Sequence, residues 1–266
     1  MQAIDLKSSL VIDPVVRPYP LCQSERTGHI LPSINNAMQS LLIDLSQSAD
    51  QKLMKIKEKK TNIMKFNFSI NWDFPPEVYI PGFKDQIMVI SETRLLGLVI
   101  TDDLKWAAYT QYICSMSYKR MWRLRRMKIL DVDPNIILDV YVKEIRSILE
   151  LAVPVWHSGL TRQQSADIER VQKVAVHIIL NKNGQNHLSY DSSLAILNIE
   201  RLERRRTKLC INFTKKCLTS RHRNMFLPNP STKNTRNRKF FAEQKVNSER
   251  AFMSPLVYLT RLLNNC

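Results

Sequence analysis

The chain has 266 residues with 40 Lys and Arg against 24 Asp and Glu, which gives a formal net charge of +16. An apolar fraction of 44% is enough for a packed core and excludes global disorder, and only five glycines argue against a glycine-rich nucleotide loop, a many-turned β-barrel or a collagen-like repeat. The charge favours a polyanionic partner, RNA or DNA first and an anionic membrane second, with a basic protein lacking a specific partner as the plain alternative.

The spacing of the cysteines and the length of the apolar runs indicate whether the protein is intracellular or secreted. Five cysteines at irregular spacings, with no C-x-x-C pair, indicate neither a zinc site nor a disulfide framework. Residues 1–13 lack the pattern of a secretory signal. The sequence contains no run of about 18 apolar residues, so no membrane span is expected. We therefore expect an intracellular protein, nuclear or cytoplasmic and not secreted.

The first part of the chain predicts an irregular segment and then a small α+β piece. Residues 1–32 are proline-rich, and Ser33 is expected to cap a helix to Lys55. The predicted apolar stripe of this helix consists of Ile34, Met38, Leu41, Leu42 and Leu45. The alternation of apolar and polar residues predicts four short strands, over residues 61–68, 77–80, 87–90 and 93–100. Residues 33–105 should thus form a small antiparallel sheet with one packed helix.

The second part predicts helices only. Their expected bounds are 107–129, 133–149, 161–180, 192–197 and 202–219. Asp133 with Pro134, and Thr161, are expected N-terminal caps, and the pair Asp102 and Asp103 is expected to cap the first of these helices. Residues 106–220 form this all-helical bundle, and residues 221–266 form a basic, partly disordered tail with a short helix at 254–263. The fold class is α+β, mainly α overall.

Six lysines lie within residues 52–65 with only Glu58 opposing them: Lys52, Lys55, Lys57, Lys59, Lys60 and Lys65. Two further basic clusters and four tryptophans are also candidates for nucleic-acid contact. Lys119, Arg123 and Arg126 share one helical face, with Met121 and Trp122 expected to turn inward. Trp106 and Trp156 are also expected in the core, which leaves Trp72 as the exposed one. Residues 201–250 hold fifteen Lys and Arg against three Glu. Either cluster would bind phosphates by counterion release, or would be an ordinary solvated surface; for the tail, a nuclear-localisation-like signal is a third reading.

Four segments in order carry a family resemblance: Lys59-Lys60-Thr61, residues 94–106 (RLLGLVITDDLKW), residues 145–156 (IRSILELAVPVW) and residues 168–173 (IERVQK). Over residues 33–220 the chain resembles the reverse transcriptases of non-LTR retrotransposons of the jockey and CR1 type. The resemblance implies the palm edge, the primer-grip strand and the helical thumb of an RNA-directed DNA polymerase. It implies RNA or an RNA–DNA hybrid as partner, and the missing palm and fingers part of such a polymerase as a protein partner.

The candidate residues combine the basic clusters with this resemblance. The candidate nucleic-acid contacts are Lys59, Lys60, Lys119, Arg120, Arg123, Arg126, Arg204, Arg205 and Lys208. Leu96 and Gly97 are the primer-grip-like residues. No catalytic residue and no metal ligand is predicted, and no small-molecule substrate is evident.

The departures from the family concern catalysis. The polymerases need a Phe/Tyr-Ala-Asp-Asp strand and an upstream aspartate to hold two Mg²⁺ ions, and this sequence contains no such strand. Met1 falls about where the chain would just have left it, and Lys57 replaces the family's usual Asn. We therefore expect a catalytically incomplete fragment that uses no cofactor and is inactive alone.

A second family resemblance and a second class of function, a protein-interaction module, are the alternatives. Residues 58–113 also resemble a signature labelled as the N-terminal domain of an AlkB homologue, which would imply a 2-oxoglutarate dioxygenase or a methyltransferase. None of the five histidines begins a His-x-Asp motif, and no glycine-rich turn is present, so neither activity is expected. The remaining alternative is a protein-interaction or decayed module.

Overall fold

The computed structural model describes residues 31–54, 56–57, 60–66, 87–180, 188–229, 239–246 and 248–265. Backbone contacts divide the chain into two compact units, Met1–Leu104 and Lys105–Cys266, and each is described by itself. The described part is mainly helical, with two small two-stranded sheets, as the sequence predicts. None of the helices in that part has both the length and the hydropathy of a membrane span.

The first unit begins with helix α1, Leu31–Gln51. It starts two residues before Ser33, so the prediction that Ser33 caps the helix is wrong. Pro32 fits the first turn, because the backbone N–H that proline lacks would have no acceptor within the helix at that position. Of the predicted stripe, Leu42 is buried but Leu41 is more than half exposed. The predicted strand 77–80 lies outside the described residues.

The strands of this unit form two separate pairs. Strands β1 (Asn62–Ile63) and β2 (Met88–Val89) pair in parallel, contrary to the expected antiparallel order. Strands β3 (Glu92–Leu95) and β4 (Leu98–Thr101) form an antiparallel hairpin, where the sequence had predicted one strand. Leu96 and Gly97 make its turn with φ angles of 48° and 89°, and positive φ at both positions is what a type I′ hairpin turn requires.

The second unit contains nine α-helices among its described residues. They are α2 (Ala107–Ile129), α3 (Pro134–Val140), α4 (Ser147–Leu149), α5 (Val153–Trp156), α6 (Arg162–Leu180), α7 (Tyr190–Ile196), α8 (Leu202–Leu218), α9 (Glu249–Phe252) and α10 (Pro255–Asn265). A π-helical segment, Tyr141–Arg146, joins α3 to α4, so the predicted helix 133–149 is present with a local widening in its middle. The predicted terminal helix is α10.

Side-chain caps begin several of these helices. Asp133 accepts a hydrogen bond from the Asn135 amide (2.8 Å), with Pro134 in the first turn, as predicted. Thr161 and Gln164 exchange two such bonds, a capping box at the start of α6. The predicted Asp102–Asp103 cap is wrong: α2 begins four residues after Asp103, which accepts a hydrogen bond from the Thr101 hydroxyl at 2.7 Å instead.

The core of the second unit lies between α2 and α6. Residues at helical spacing from both helices are fully buried there: Tyr109, Ile113, Met121 and Leu124 from α2, and Ile168, Val171, Ala175 and Ile179 from α6. Trp106 and Trp156 are buried as predicted, and the Trp156 ring packs edge-on against Tyr109 at 5.5 Å between centroids. The prediction for Trp122 is wrong, because 60% of this residue is exposed.

A buried chain of polar side chains ties the π segment to α6 and α7. The Tyr141 hydroxyl donates to Gln172 Oε1 (2.7 Å), and Gln172 Nε2 donates to the Tyr190 hydroxyl and to the Glu200 carbonyl. Tyr190 in turn donates to Glu169 (2.6 Å). Each of these side chains makes at least one hydrogen bond, so the network connects the three elements, while the second oxygen of Glu169, Oε2, is buried and accepts no hydrogen bond from the described residues.

Arg206 of α8 is fully buried beneath α5 and α6. Its Nε donates to His157 Nδ1 (3.3 Å), and its Nη2 donates to Ser165 Oγ (2.7 Å). Among the described residues no carboxylate lies within ion-pair distance; Glu169 and Glu203 act on it only through space. The Tyr258 ring of α10 packs edge-on against His157, which links the end of the chain to the same cluster.

Part of the segment assigned to a partly disordered tail has defined contacts. A 3₁₀ turn follows α8 at Arg221–Met225, and Pro228 forms a bridge with Phe241. The Phe226 and Phe241 rings pack edge-on, and Asn264 of α10 exchanges hydrogen bonds with both backbone groups of Phe241. The described residues of 221–246 are therefore attached to α10.

His157 should make the unit sensitive to acid. Burial, and then the Arg206 charge, lower its pKa from 6.5 to about 4. Because the unfolded chain binds this proton more tightly than the folded chain, neutral His157 contributes to the free energy of unfolding. This contribution is complete above pH 6.5, is lost as the pH falls towards 4, and amounts to about 3 kcal/mol. We expect His157→Asn, whose amide oxygen can still accept from Arg206, to show a smaller loss of unfolding free energy between pH 7 and pH 4 in urea titrations.

Arg206→Met provides the control, because it keeps the imidazole and removes the cation. Burial is the larger cause of the shift, so this variant should have a pH dependence between those of the wild type and His157→Asn. Equal losses in the wild type and in His157→Asn would show that His157 is not the titrating group.

Candidate nucleic-acid interface

Helix α2 carries the basic cluster on the side turned away from the core. The buried stripe of Ile113, Met121 and Leu124 faces α6, and the exposed residues lie on the opposite side. The exposed members of interest are Lys119, Trp122, Arg125 and Arg126, and we call this set the α2 outer face. Its residues recur at intervals of three and four, so they are neighbours along one side of the helix.

Three cations of the α2 outer face have no ion-pair or side-chain hydrogen-bond partner among the described residues: Lys119, Arg125 and Arg126. They surround Trp122, with Lys119 one turn before it and the two arginines one turn after it. Lysines and arginines without carboxylate partners keep their full charge available for phosphates. Arg125 is the one cation of this set that was not among the predicted contacts.

The other cations of α2, the predicted contacts Arg120 and Arg123 and also Lys128, have structural partners. Arg123 forms an ion pair with the Glu144 carboxylate, and Arg120 Nη1 donates to the Glu144 backbone carbonyl at 2.7 Å. Lys128, near the helix end, donates to the Ile179 carbonyl at the last turn of α6 (2.8 Å). These three contacts hold α2 on the π segment and on α6, and so fix where its outer face lies.

The predicted contacts on α8 divide in the same way. Arg205 makes a two-pronged ion pair with Glu150, a carboxylate that also contacts Arg146 at 3.5 Å. Lys208 pairs with Glu200. Arg204 is exposed and makes no hydrogen bond or ion pair within the described residues. Of the three, only Arg204 therefore has its donors available to a ligand.

A second group of exposed cations follows at the end of α8. It contains Lys215, Lys216, Arg221 and Arg223, none of which has a side-chain partner in the described part of the chain. Phe213, 42% exposed, lies in the same last turns. The sequence showed these cations only as members of a long basic segment, because nothing in their spacing distinguishes free from paired residues.

The remaining predicted residues lie in the first unit. Lys59 is outside the described residues, and Lys60 is exposed and interacts within the chain. Leu96, 90% exposed, and Gly97 occupy the tip of the β3–β4 hairpin. In the second unit, the structure places Lys119 and Arg126 on the same side of α2.

The described carboxylates do not fit the two-metal centre of a polymerase. Asp103 accepts from Thr101 within a turn, and no three His, Cys, Asp or Glu side chains of the described residues come together as a metal site. We therefore derive no metal-dependent step for this chain.

The described thiols are buried or half-buried. Burial raises the pKa of Cys210 to about 12 and that of Cys114 to about 11, which keeps both protonated and unreactive at neutral pH. Neither thiol supplies a nucleophile to the α2 outer face.

In comparisons with known proteins, no family model, no curated protein and no solved structure matches the chain.

The two adjacent arginines of α8 test the division into structural and available cations. Arg205→Ala should lower the free energy of unfolding by about 1–2 kcal/mol, because it leaves the half-buried Glu150 with one weaker partner. Arg204→Ala, on the same helix, should change it by less than about 0.5 kcal/mol. Urea denaturation at pH 7 measures both, and equal losses would refute the structural role of the Arg205–Glu150 pair.

Proposed function

We propose that this chain binds nucleic acid through phosphate contacts and is a catalytically incomplete counterpart of the C-terminal palm edge and thumb of a non-LTR retrotransposon reverse transcriptase. The observation that carries the proposal is the α2 outer face, where Lys119, Arg125 and Arg126 are unpaired within the described residues. A helix fixed at several points, with free cations on one side, suits the non-specific neutralisation of a polyanion.

The charge distribution supports the same function. Cations at the end of α8 form a second unpaired group, and residues 201–250 have fifteen Lys and Arg against three Glu. Contacts of this kind follow the backbone of RNA or of an RNA–DNA hybrid and carry little sequence information. The resemblance adds the expectation of a template–primer hybrid as the ligand, with the missing catalytic part of a polymerase as a further partner.

The proposal includes no polymerase activity for this chain. The sequence has no Phe/Tyr-Ala-Asp-Asp strand, and the described carboxylates form no metal site. Without two metal ions, the attacking and leaving oxygens of a nucleotidyl transfer lack their stabilising charges.

Binding to an RNA–DNA hybrid over a salt series tests the proposal. Each phosphate contact contributes about one unit to the slope of log affinity against log salt concentration. The triple variant Lys119→Ala, Arg125→Ala, Arg126→Ala should therefore lose about 2–3 units of slope and bind more weakly. Fluorescence anisotropy of a labelled hybrid measures both quantities, and primer extension assayed in the same tubes should give no product.

A second triple variant controls for net charge. Lys143→Ala, Arg170→Ala and Lys239→Ala remove three exposed cations that are paired with Asp139, Asp167 and Glu243. This variant has the same net charge as the first and should keep the wild-type slope. Equal losses in both variants would reduce the effect to overall charge; absence of wild-type binding at low salt would refute the proposal, and any primer extension would refute its non-catalytic part.

A further inference from the structure

Trp122 lies in the middle of the α2 outer face and is 60% exposed. The other two tryptophans of the described residues, Trp106 and Trp156, are 7% and 0% exposed. Leaving a large aromatic ring in water forgoes the stabilisation that its burial would give, and tryptophan is a residue that folded proteins bury to a high degree. Its exposure on a basic helix face therefore points to a ligand.

The position of the ring is restricted by its neighbour. The Arg123 guanidinium carbon lies 5.9 Å from the Trp122 ring centroid, within the range of a cation–π contact. Arg123 is itself paired with the Glu144 carboxylate on the π segment. The ring thus has a cationic neighbour that is attached to the core, which reduces the number of orientations that a ligand would have to fix.

Free cations flank the ring on both sides. On a helix, residues three or four apart have Cβ atoms about 5–6 Å from each other, which applies to Lys119 before Trp122 and to Arg125 and Arg126 after it. No carboxylate of the described residues pairs with any of these three. A ligand on this face must offer negative charges on either side of a flat apolar surface.

We propose that Trp122 is a stacking site for an unpaired base and that the α2 outer face takes a single-stranded segment of RNA or DNA. The inference rests on the proposed function and adds the class of nucleic acid. In a duplex the faces of the bases are covered by their neighbours, so only an unpaired base can lay its face on an indole ring. Flanking phosphates of the same strand then meet the three cations.

A protein partner is the less favoured occupant of this face. Such a partner would need carboxylates opposite all three cations as well as an apolar group for the ring. Tyr118, 38% exposed, lies one turn before Trp122, whereas the exposed aliphatic residues of this region, Ile129, Leu130 and Ile136, lie at the end of α2 and the start of α3, beyond the arginines. Ile129 therefore supplies a control for general apolar docking.

Binding of single strands and duplex by Trp122 variants tests the inference. The probes are fluorescein-labelled 16-nucleotide oligo(U) and oligo(dT), and a blunt 16-base-pair RNA–DNA hybrid. Loss of one base–aromatic stack should weaken single-strand binding by Trp122→Ala about 5- to 150-fold, with a less than twofold effect on the hybrid. Trp122→Phe, which keeps a smaller ring, should lose less. Comparison of oligo(U) with oligo(dT) shows whether the 2′-hydroxyl contributes.

Tryptophan emission gives an independent readout. Stacking on Trp122 should quench part of the emission on addition of oligo(dT), and this quenching should be missing in Trp122→Ala. Circular dichroism should show unchanged helicity and an unchanged melting temperature for the variant, because the residue is mostly exposed.

The outcomes separate this inference from the proposed function. If Trp122→Ala changes neither single-strand nor hybrid binding, or weakens both equally, while the triple cation variant weakens hybrid binding, the stacking inference is refuted and the proposed function stands. If Ile129→Ala weakens single-strand binding as much as Trp122→Ala, stacking is likewise refuted. If the wild type binds none of the probes at low salt, the proposed function itself fails.

Discussion

The helical unit is organised around one buried cation. Arg206 is fully buried, and it reaches His157 after α5 and Ser165 at the start of α6. With no carboxylate in contact among the described residues, its charge must be accommodated by neutral acceptors, so His157 has to remain unprotonated. The Nδ1 atom accepts from Arg206, which leaves the proton on Nε2, 3.5 Å from the Thr207 hydroxyl. The position of α8 therefore depends on His157 remaining neutral, because a protonated Nδ1 could not accept from Arg206.

Local signals in the sequence predicted the helices well. The bounds of α2 agree with the predicted helix, and the caps at Asp133 and Thr161 involve only neighbouring residues, so short-range chemistry is enough to find them. The hairpin was missed because Leu96 occupies a left-handed backbone conformation that pattern reasoning reserves for glycine or asparagine. Trp122 was misplaced because it follows Met121 directly, whereas successive residues of a helix point about 100° apart: Met121 lies on the buried stripe with Ser117 and Leu124, and Trp122 lies outside it.

For the candidate site, the sequence predicts an excess of cations on certain helices but not which of these cations are unpaired. Arg120, Arg123 and Arg126 look alike in the sequence, yet the first two are occupied by Glu144, more than twenty positions along the chain. Arg205 is occupied by Glu150 in the same way. Which cations remain available is decided by tertiary packing, and a single sequence carries no record of those pairings.

The paired cations nevertheless serve the interface by fixing its geometry. Arg120 and Lys128 both donate to backbone carbonyls, one on the π segment and one at the end of α6, so they hold α2 near its middle and near its end. Between these two points lie Trp122, Arg125 and Arg126, on a stretch of helix that cannot rotate without breaking either bond. A ligand that meets a face already fixed loses less conformational entropy on binding than one that must order it. Arg120 and Arg123, which pattern reasoning assigned to phosphate contact, thus help to hold in place the cations that are free to make it, Lys119, Arg125 and Arg126.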